Sequence, residues 1–135
     1  MRRVINSSTA APPIGAYSQA IAHGNLVFTA GQVAKTADGI SHFSDSIQIQ
    51  TQICLENIKN ILEADGLGLS DVVKTTVFLE NIDDFAEMNS TYSEYFSIDP
   101  PARSAFEVCR LPGGAKIEIE AIASTSRPTN KQKSE

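Results

Sequence analysis

The chain has 135 residues, 41% of them hydrophobic and 20% charged, with a net charge of −5. That length fits one domain, because two would each be too small to bury a useful core. A general acidic balance repels phosphate backbones and argues against a nucleic-acid partner, while still permitting one local cationic site for an anionic small molecule.

Aromatic residues make up 7% and Trp is absent, so the core is expected to be mainly aliphatic. The chain opens on Met1-Arg2-Arg3-Val4-Ile5-Asn6, which lacks the apolar stretch of a signal peptide. No later segment approaches the ~18 apolar residues of a membrane span, so a cytoplasmic protein with no membrane contact is expected. Residues 1–15 hold the apolar pair Val4-Ile5, then Ser7-Ser8-Thr9, Pro12-Pro13 and Gly15. Pro fixes φ and lacks a donor, so this reads as an extended arm or loop. Tyr17 to Ala30 is strand-like on both sides of Gly24-Asn25, a hairpin signal.

A long helix is predicted from about Asp45, with Gln48 completing a capping box. Its apolar stripe is Ile47, Ile53, Leu55, Ile58, Ile61 and Leu62, and Gly66 and Gly68 stop it. Val72 to Leu79 is rich in β-branched residues and reads as a buried strand. Asn81 caps a second helix with Asp83 and Asp84 in its first turn and a stripe of Ile82, Phe85, Met88, Tyr92 and Phe96. Two strands follow, Arg103 to Val108 and Lys116 to Ala123, around the Leu111-Pro112-Gly113-Gly114 turn. The order predicts an α+β domain, a mixed sheet with two helices on one face, over residues 1–123, with a polar, disordered tail over 124–135. On the last strand Ile117, Ile119 and Ala121 alternate with Lys116, Glu118 and Glu120. The second sheet face therefore reads as polar enough to be solvated or to meet a partner subunit.

Cys54 and Cys109 lack metal-type spacing. The sequence leaves a disulfide between them open, but a chain of this size does not need one, and two reduced, half-buried thiols are expected. His23 and His42 lie far apart without further ligands, so no metal is expected. No nucleophilic triad, phosphate loop or dinucleotide fingerprint is readable.

Pro101-Ala102-Arg103-Ser104, Glu107-Val108, Leu111-Pro112 and Ile117-Glu118-Ile119-Glu120-Ala121-Ile122-Ala123 closely resemble the signature of the reactive-intermediate deaminase family (RidA, also called YjgF). Ile14 to Ala20, Ala30-Gly31-Gln32, Gln52 to Leu62, Val72 to Leu79, Asp84 to Asn89 and Tyr92 to Phe96 support it in order and spacing. The resemblance implies a chorismate-mutase-like fold of the bacillary type. It implies a homotrimer with a central barrel, three pockets between subunits and no cofactor. It also implies hydrolysis of enamines and imines such as 2-aminoacrylate to 2-keto acids and ammonia, the activity of a 2-iminobutanoate/2-iminopropanoate deaminase.

Carried over residue by residue, Arg103 would hold the substrate carboxylate through its guanidinium fork. Glu118 would position the attacking water and move protons. Tyr17, Gly31, Asn89, Phe85 and the backbone at Ala105 would bind substrate, Gly31 through its N–H, since Gly permits close approach. On position alone Arg103 reads equally as a rim ion-pair residue, Glu118 as an exposed strand Glu like Glu120, Asn89 as a solvent-facing helix residue and Phe85 as core. Many members have Cys where this chain has Ala105 and Ser where it has Ala30, which bears on substrate preference. Three other functions stay open: a binding module for small carboxylates such as 2-keto acids, a pathway-specific deaminase such as one for 2-aminomuconate, and a ribonuclease or translation inhibitor.

Overall fold

The computed structural model describes residues 2–125. Its strands are β1 (Arg2–Ile5), β2 (Ala20–His23), β3 (Leu26–Thr29), β4 (Val72–Leu79), β5 (Ala102–Glu107) and β6 (Ile117–Ser124), and its helices α1 (Ile47–Glu63) and α2 (Phe85–Tyr95). The strands form one sheet in the order β1-β2-β3-β6-β4-β5. Only β4 and β5 pair in parallel, so the sheet is mixed, and α2 is the crossover between them. This is the α+β arrangement that the alternation of element types predicts.

Local chemistry accounts for most boundaries. His23 pairs with Leu26, leaving Gly24-Asn25 as a two-residue loop, and only Gly24 has positive φ there (61°), the arrangement of a type II′ turn. Helix α1 ends in a Schellman motif: Leu67 N–H donates to Leu62 O and Gly66 N–H to Glu63 O, with Gly66 at φ 76°. Asn81 Oδ1 accepts from Asp83 N–H at 2.9 Å, as predicted, although the turn it starts is 3-10 before α2 begins. Ile82, placed in the stripe by spacing, lies in that tighter turn and is exposed, because three residues per turn carry it out of phase with the helix.

Other expectations are corrected. The cap of α1 is Ser46, whose side chain accepts from Ile49 N–H, not Asp45. The N-terminal arm contains an edge strand: β1 pairs antiparallel with β2, and Arg3 forks onto Asp65 at 2.6 and 3.1 Å. Of its four residues only Ile5 is buried, so no hydrophobic period announces it. Residues 17–19 precede β2 instead of belonging to it. Ser124 belongs to β6 and Thr125 N–H donates to Asn25 O, so these two are not tail. The rest of the predicted tail, 126–135, lies outside the described residues. The cysteines are not half-buried: Cys54 is fully buried and Cys109 exposed, and both are free thiols. Burial pushes the Cys54 thiol well above its usual range, with Glu118 adding to the effect, so it is inert.

The core lies between the sheet and the two helices. Ile117, Ile119, Ala121 and Ala123 of β6 are buried there with Leu55, Ile58, Ile61 and Leu62 of α1 and Met88 and Tyr92 of α2. The opposite face carries Glu118, Glu120 and Ile122 of β6 beside Phe78, which meets Phe106 edge to face with 5.4 Å between ring centroids. Phe28 and Phe106 are 41% and 45% exposed. This face is thus apolar as well as polar, more than β6 alone suggested.

Candidate active site

Three buried amides hold irregular chain against the core. Gln19 Oε1 accepts from Ser7 N–H, and its Nε2 donates to Ser7 O and Ala11 O. Asn57, on α1, accepts from Ala11 N–H at 3.3 Å and donates to Lys35 O at 2.7 Å. Gln50, two turns earlier, donates to Phe43 O and Asp45 O and accepts from Lys116 N–H. The arm and the 30–45 loop are thereby fixed beside the start of β6, where Gln32 and Ile119 exchange both backbone hydrogen bonds. Removing such an amide leaves buried partners unsatisfied. Asn57→Ala is expected to cost about 2 kcal/mol in denaturant unfolding.

Between these walls lies a cavity of about 600 Å³ whose lining includes Tyr17, Gly31, Lys35, Phe43 and Glu118. Tyr17 Oη accepts from Ile14 N–H at 3.1 Å, which leaves its own proton free to donate into the cavity. Gly31 passes so close to Glu118 that a Cβ at that position would collide with Oε2 and lie 2.8 Å from Cδ. The Gly31 N–H has no hydrogen-bond partner among the described residues. Glu118 is partly buried; burial, and then the like charge of Glu120, raise its carboxyl above the usual range. A carboxyl so placed can accept from water and later give up a proton nearer neutrality than a free one.

Arg103 stands elsewhere. Its Nη1 donates to Asn89 Oδ1 at 2.8 Å, and its guanidinium lies 5.3 Å from the Phe85 ring centroid and 4.7 Å from that of Tyr92. Tyr92 is held in turn by a 2.7 Å hydrogen bond with Thr75. The aromatic faces and the amide leave most of the fork unengaged, and no carboxylate pairs with Arg103 among the described residues. The rim ion-pair reading therefore has no partner here. Ala105 shares the strand face of Arg103 and packs on the core edge. Phe85 packs against the core and also lies beside the guanidinium. Tyr92, which the sequence reading places only in the apolar stripe, joins this cluster; its spacing from Asn89 and Phe85 puts all three on one side of α2. The sequence reading does not single out Lys35, Ser41 or Phe43, and only the fold of the 30–45 loop brings them to the cavity.

The two clusters lie on opposite faces of the sheet. Arg103 pairs with Thr75, which is buried under α2, whereas Glu118 pairs with Phe78 on the other face. Directly paired residues share a face and their neighbours alternate. Within one chain, then, Tyr17, Gly31 and Glu118 come together, and Arg103, Asn89, Phe85 and Ala105 come together, but the two sets do not meet.

Residues 8–125, which include every one of these side chains, match the family model described as Endoribonuclease L-PSP. The chain belongs to that family, the RidA/YjgF family whose motifs it carries. A RutC family protein of Pyrococcus horikoshii is 51% identical over 123 residues, covering 91% of this chain and 98% of its own. The 2-iminobutanoate/2-iminopropanoate deaminase of Salmonella typhimurium is 42% identical over 126 residues, covering 91% and 98%. Among solved structures, E. coli TdcF with bound serine superposes with a TM-score of 0.87 at 38% identity, covering 92% of this chain and 99% of TdcF. Likeness at these identities and coverages extends through the whole L-PSP domain.

Two results are expected from the Glu118 cluster of this RidA/YjgF member. Gly31→Ala should fold, because what it displaces is the flexible end of a side chain. Yet kcat should fall on the order of a hundredfold, since the carboxylate must move by about an ångström. Steady-state kinetics beside a melting curve separates the two effects. Glu118→Gln should be more stable than the wild type at neutral pH. Between the ordinary carboxylate value and the raised one, the folded chain keeps a proton the unfolded chain has lost. Stability therefore falls as pH rises through that window. Urea midpoints of both proteins against pH check this: the gap should close below the ordinary carboxylate value.

Proposed function

We propose that the chain is an enamine/imine deaminase that hydrolyses 2-imino acids to 2-keto acids and ammonia, at sites shared between neighbouring chains of a homotrimer. The observation that supports this most is the separation of Arg103 and Glu118 onto opposite sheet faces. A substrate of a few carbons cannot touch both groups of one chain, whereas a neighbour's Arg103 can close the cavity that holds Glu118. Exposed Phe28 and Phe106 beside Phe78 offer the apolar face on which such chains would meet around a central, chorismate-mutase-like barrel.

In this reading the Arg103 fork takes the substrate carboxylate in two parallel N–H···O bonds, assisted by the Gly31 N–H. Asn89, Phe85 and Tyr92 keep the guanidinium plane in place. An enamine first takes a proton at carbon to become the imine. Glu118 accepts a hydrogen from water as the water oxygen bonds to the imine carbon, and the C=N π pair moves to nitrogen, which takes up protons, one of them returned from the Glu118 carboxyl, until it stands as an ammonium. The carbinolamine then loses a hydroxyl proton, its C–N bond breaks with the pair leaving on nitrogen, and ammonia and the 2-keto acid remain. Only water and proton transfers are required, so the reaction calls for no cofactor. The cytoplasm is the setting we infer; no helix among the described residues is long and apolar enough to cross a membrane.

The test is ammonia and keto-acid release from 2-aminoacrylate generated in situ, for wild type, Arg103→Ala and Glu118→Ala. Acceleration by wild type that both variants lose supports the deaminase. Carboxylate binding without acceleration by folded protein would favour the binding-module reading instead. The nuclease named in the family description draws no support from a chain with a net charge of −5.

A further inference from the structure

The Glu118 cavity extends well past the reacting groups. Its volume is about 600 Å³, whereas a three-carbon imino acid, with six heavy atoms, occupies about 180 Å³ at roughly 30 Å³ per heavy atom. A neighbour's guanidinium would fill only part of the difference. The remaining wall combines apolar Ile14, Phe43 and Pro112 with Lys35 and Ser41.

Lys35 and Ser41 face each other across an isolated antiparallel bridge. They form the base of a small hairpin closed by Thr36 N–H to Ile40 O and Gly39 N–H to Thr36 O. The main chain of Lys35 is committed to the fold: its N–H donates to Val33 O and its carbonyl accepts from Asn57. Its ammonium has no such commitment. Lys35 is partly buried, and among the described residues it forms no ion pair. Asp38, the acid nearest in sequence, is engaged by Thr36 Oγ1 and Ile40 N–H. Glu118, in the same cavity, forms no ion pair with Lys35. A partly buried lysine without a carboxylate partner, on the wall of an oversized cavity, is suited to an anion brought in by the ligand.

We propose that Lys35, with Ser41 beside it, forms a distal subsite for a second carboxylate, so that the chain prefers 2-imino or 2-keto dicarboxylic acids over short monocarboxylic ones. This rests on the deaminase reading for the reaction but not for the binding. The dicarboxylate spans the cavity, its 2-imino carboxyl end at Tyr17, Gly31 and Glu118 and its far carboxylate on Lys35.

The test uses stable keto acids, which bind without turnover. Titration calorimetry of the full-length protein with 2-oxoglutarate and with 2-oxobutanoate should show the diacid binding roughly tenfold tighter. In Lys35→Met that ratio should fall to about one, and in Lys35→Arg, which keeps the charge, it should largely survive. Equal affinity for the two acids in wild type, or a preference that Lys35→Met retains, would overturn the subsite. The companion assay follows hydrolysis of the imines generated from glutamate and from 2-aminobutanoate by amino acid oxidases. A diacid preference in binding with neither imine hydrolysed would remove the deaminase reading and leave the subsite standing. Hydrolysis of both imines with no diacid preference would do the reverse.

Discussion

Arg103→Lys should lower kcat/KM for a 2-imino acid by roughly thirtyfold, mostly through KM, while the protein stays folded. Lysine keeps the charge, but an ammonium is a point donor and cannot present two parallel N–H groups to one carboxylate. It also forfeits the stacked position near Phe85 and Tyr92 and the hydrogen bond to Asn89. Hydrogen bonds to charged groups are worth about 1.5–3 kcal/mol each, which sets the scale of the loss. The carboxylate is held in ground and transition states alike, so the effect belongs to binding more than to the chemical step. Arg103→Ala should lose more, upwards of a hundredfold, and should bring a stability cost of about 1 kcal/mol from the vacated aromatic contacts. Unchanged kcat and KM in the Lys variant would show that the fork does not touch the substrate.

A second result distinguishes a shared site from one built within a single chain. Arg103→Ala and Glu118→Gln, each expected to be inactive alone, should recover activity when unfolded together at equal amounts and refolded into mixed oligomers. If each pocket takes Arg103 from one chain and Glu118 from another, random mixing makes about one pocket in four intact, so about a quarter of wild-type activity should return. A site lying wholly within one chain can never be intact in such a mixture, and no activity would return. The expectation rests on the proposed oligomer and on strand register, since Arg103 pairs with Thr75 under the helices while Glu118 pairs with Phe78 on the far face. Sedimentation of the mixture, compared with each parent, confirms that mixed oligomers formed.

Much of this protein could be read before any coordinates. Both helices, the β2–β3 hairpin and the three long strands announce themselves through period and punctuation. Leu55, Ile58, Ile61 and Leu62 recur at helical spacing, Gly24-Asn25 sits between two apolar runs, and Ile117, Ile119 and Ala121 alternate with acids. These signals are local, because each element must hide one face and that need is written every second or every third to fourth residue. The resemblance of the Pro101 to Ser104 and Ile117 to Ala123 motifs then named the family and proposed the candidate site residues. Composition and period named neither, since an arginine and a glutamate on strands look like surface charge.

What escaped was whatever depends on a distant partner. β1 is a strand only because β2 offers it an edge, so Arg2–Ile5 carries no pattern of its own. Gln19, Gln50 and Asn57 read as ordinary polar residues, yet all three are buried, because loop carbonyls and N–H groups from up to 66 residues away need them. Lys35 and Phe43 reach the cavity only through the path of the loop those amides hold.

The sequence by itself determined the α+β class, the element order and the chemical types available for a site, since these follow from nearest-neighbour periodicity and from residue identity. Only the tertiary structure decided that Arg103 and Glu118 point away from each other. Which side of a sheet a residue occupies is set by register against strands far along the chain, and a shift of one residue would have reversed it.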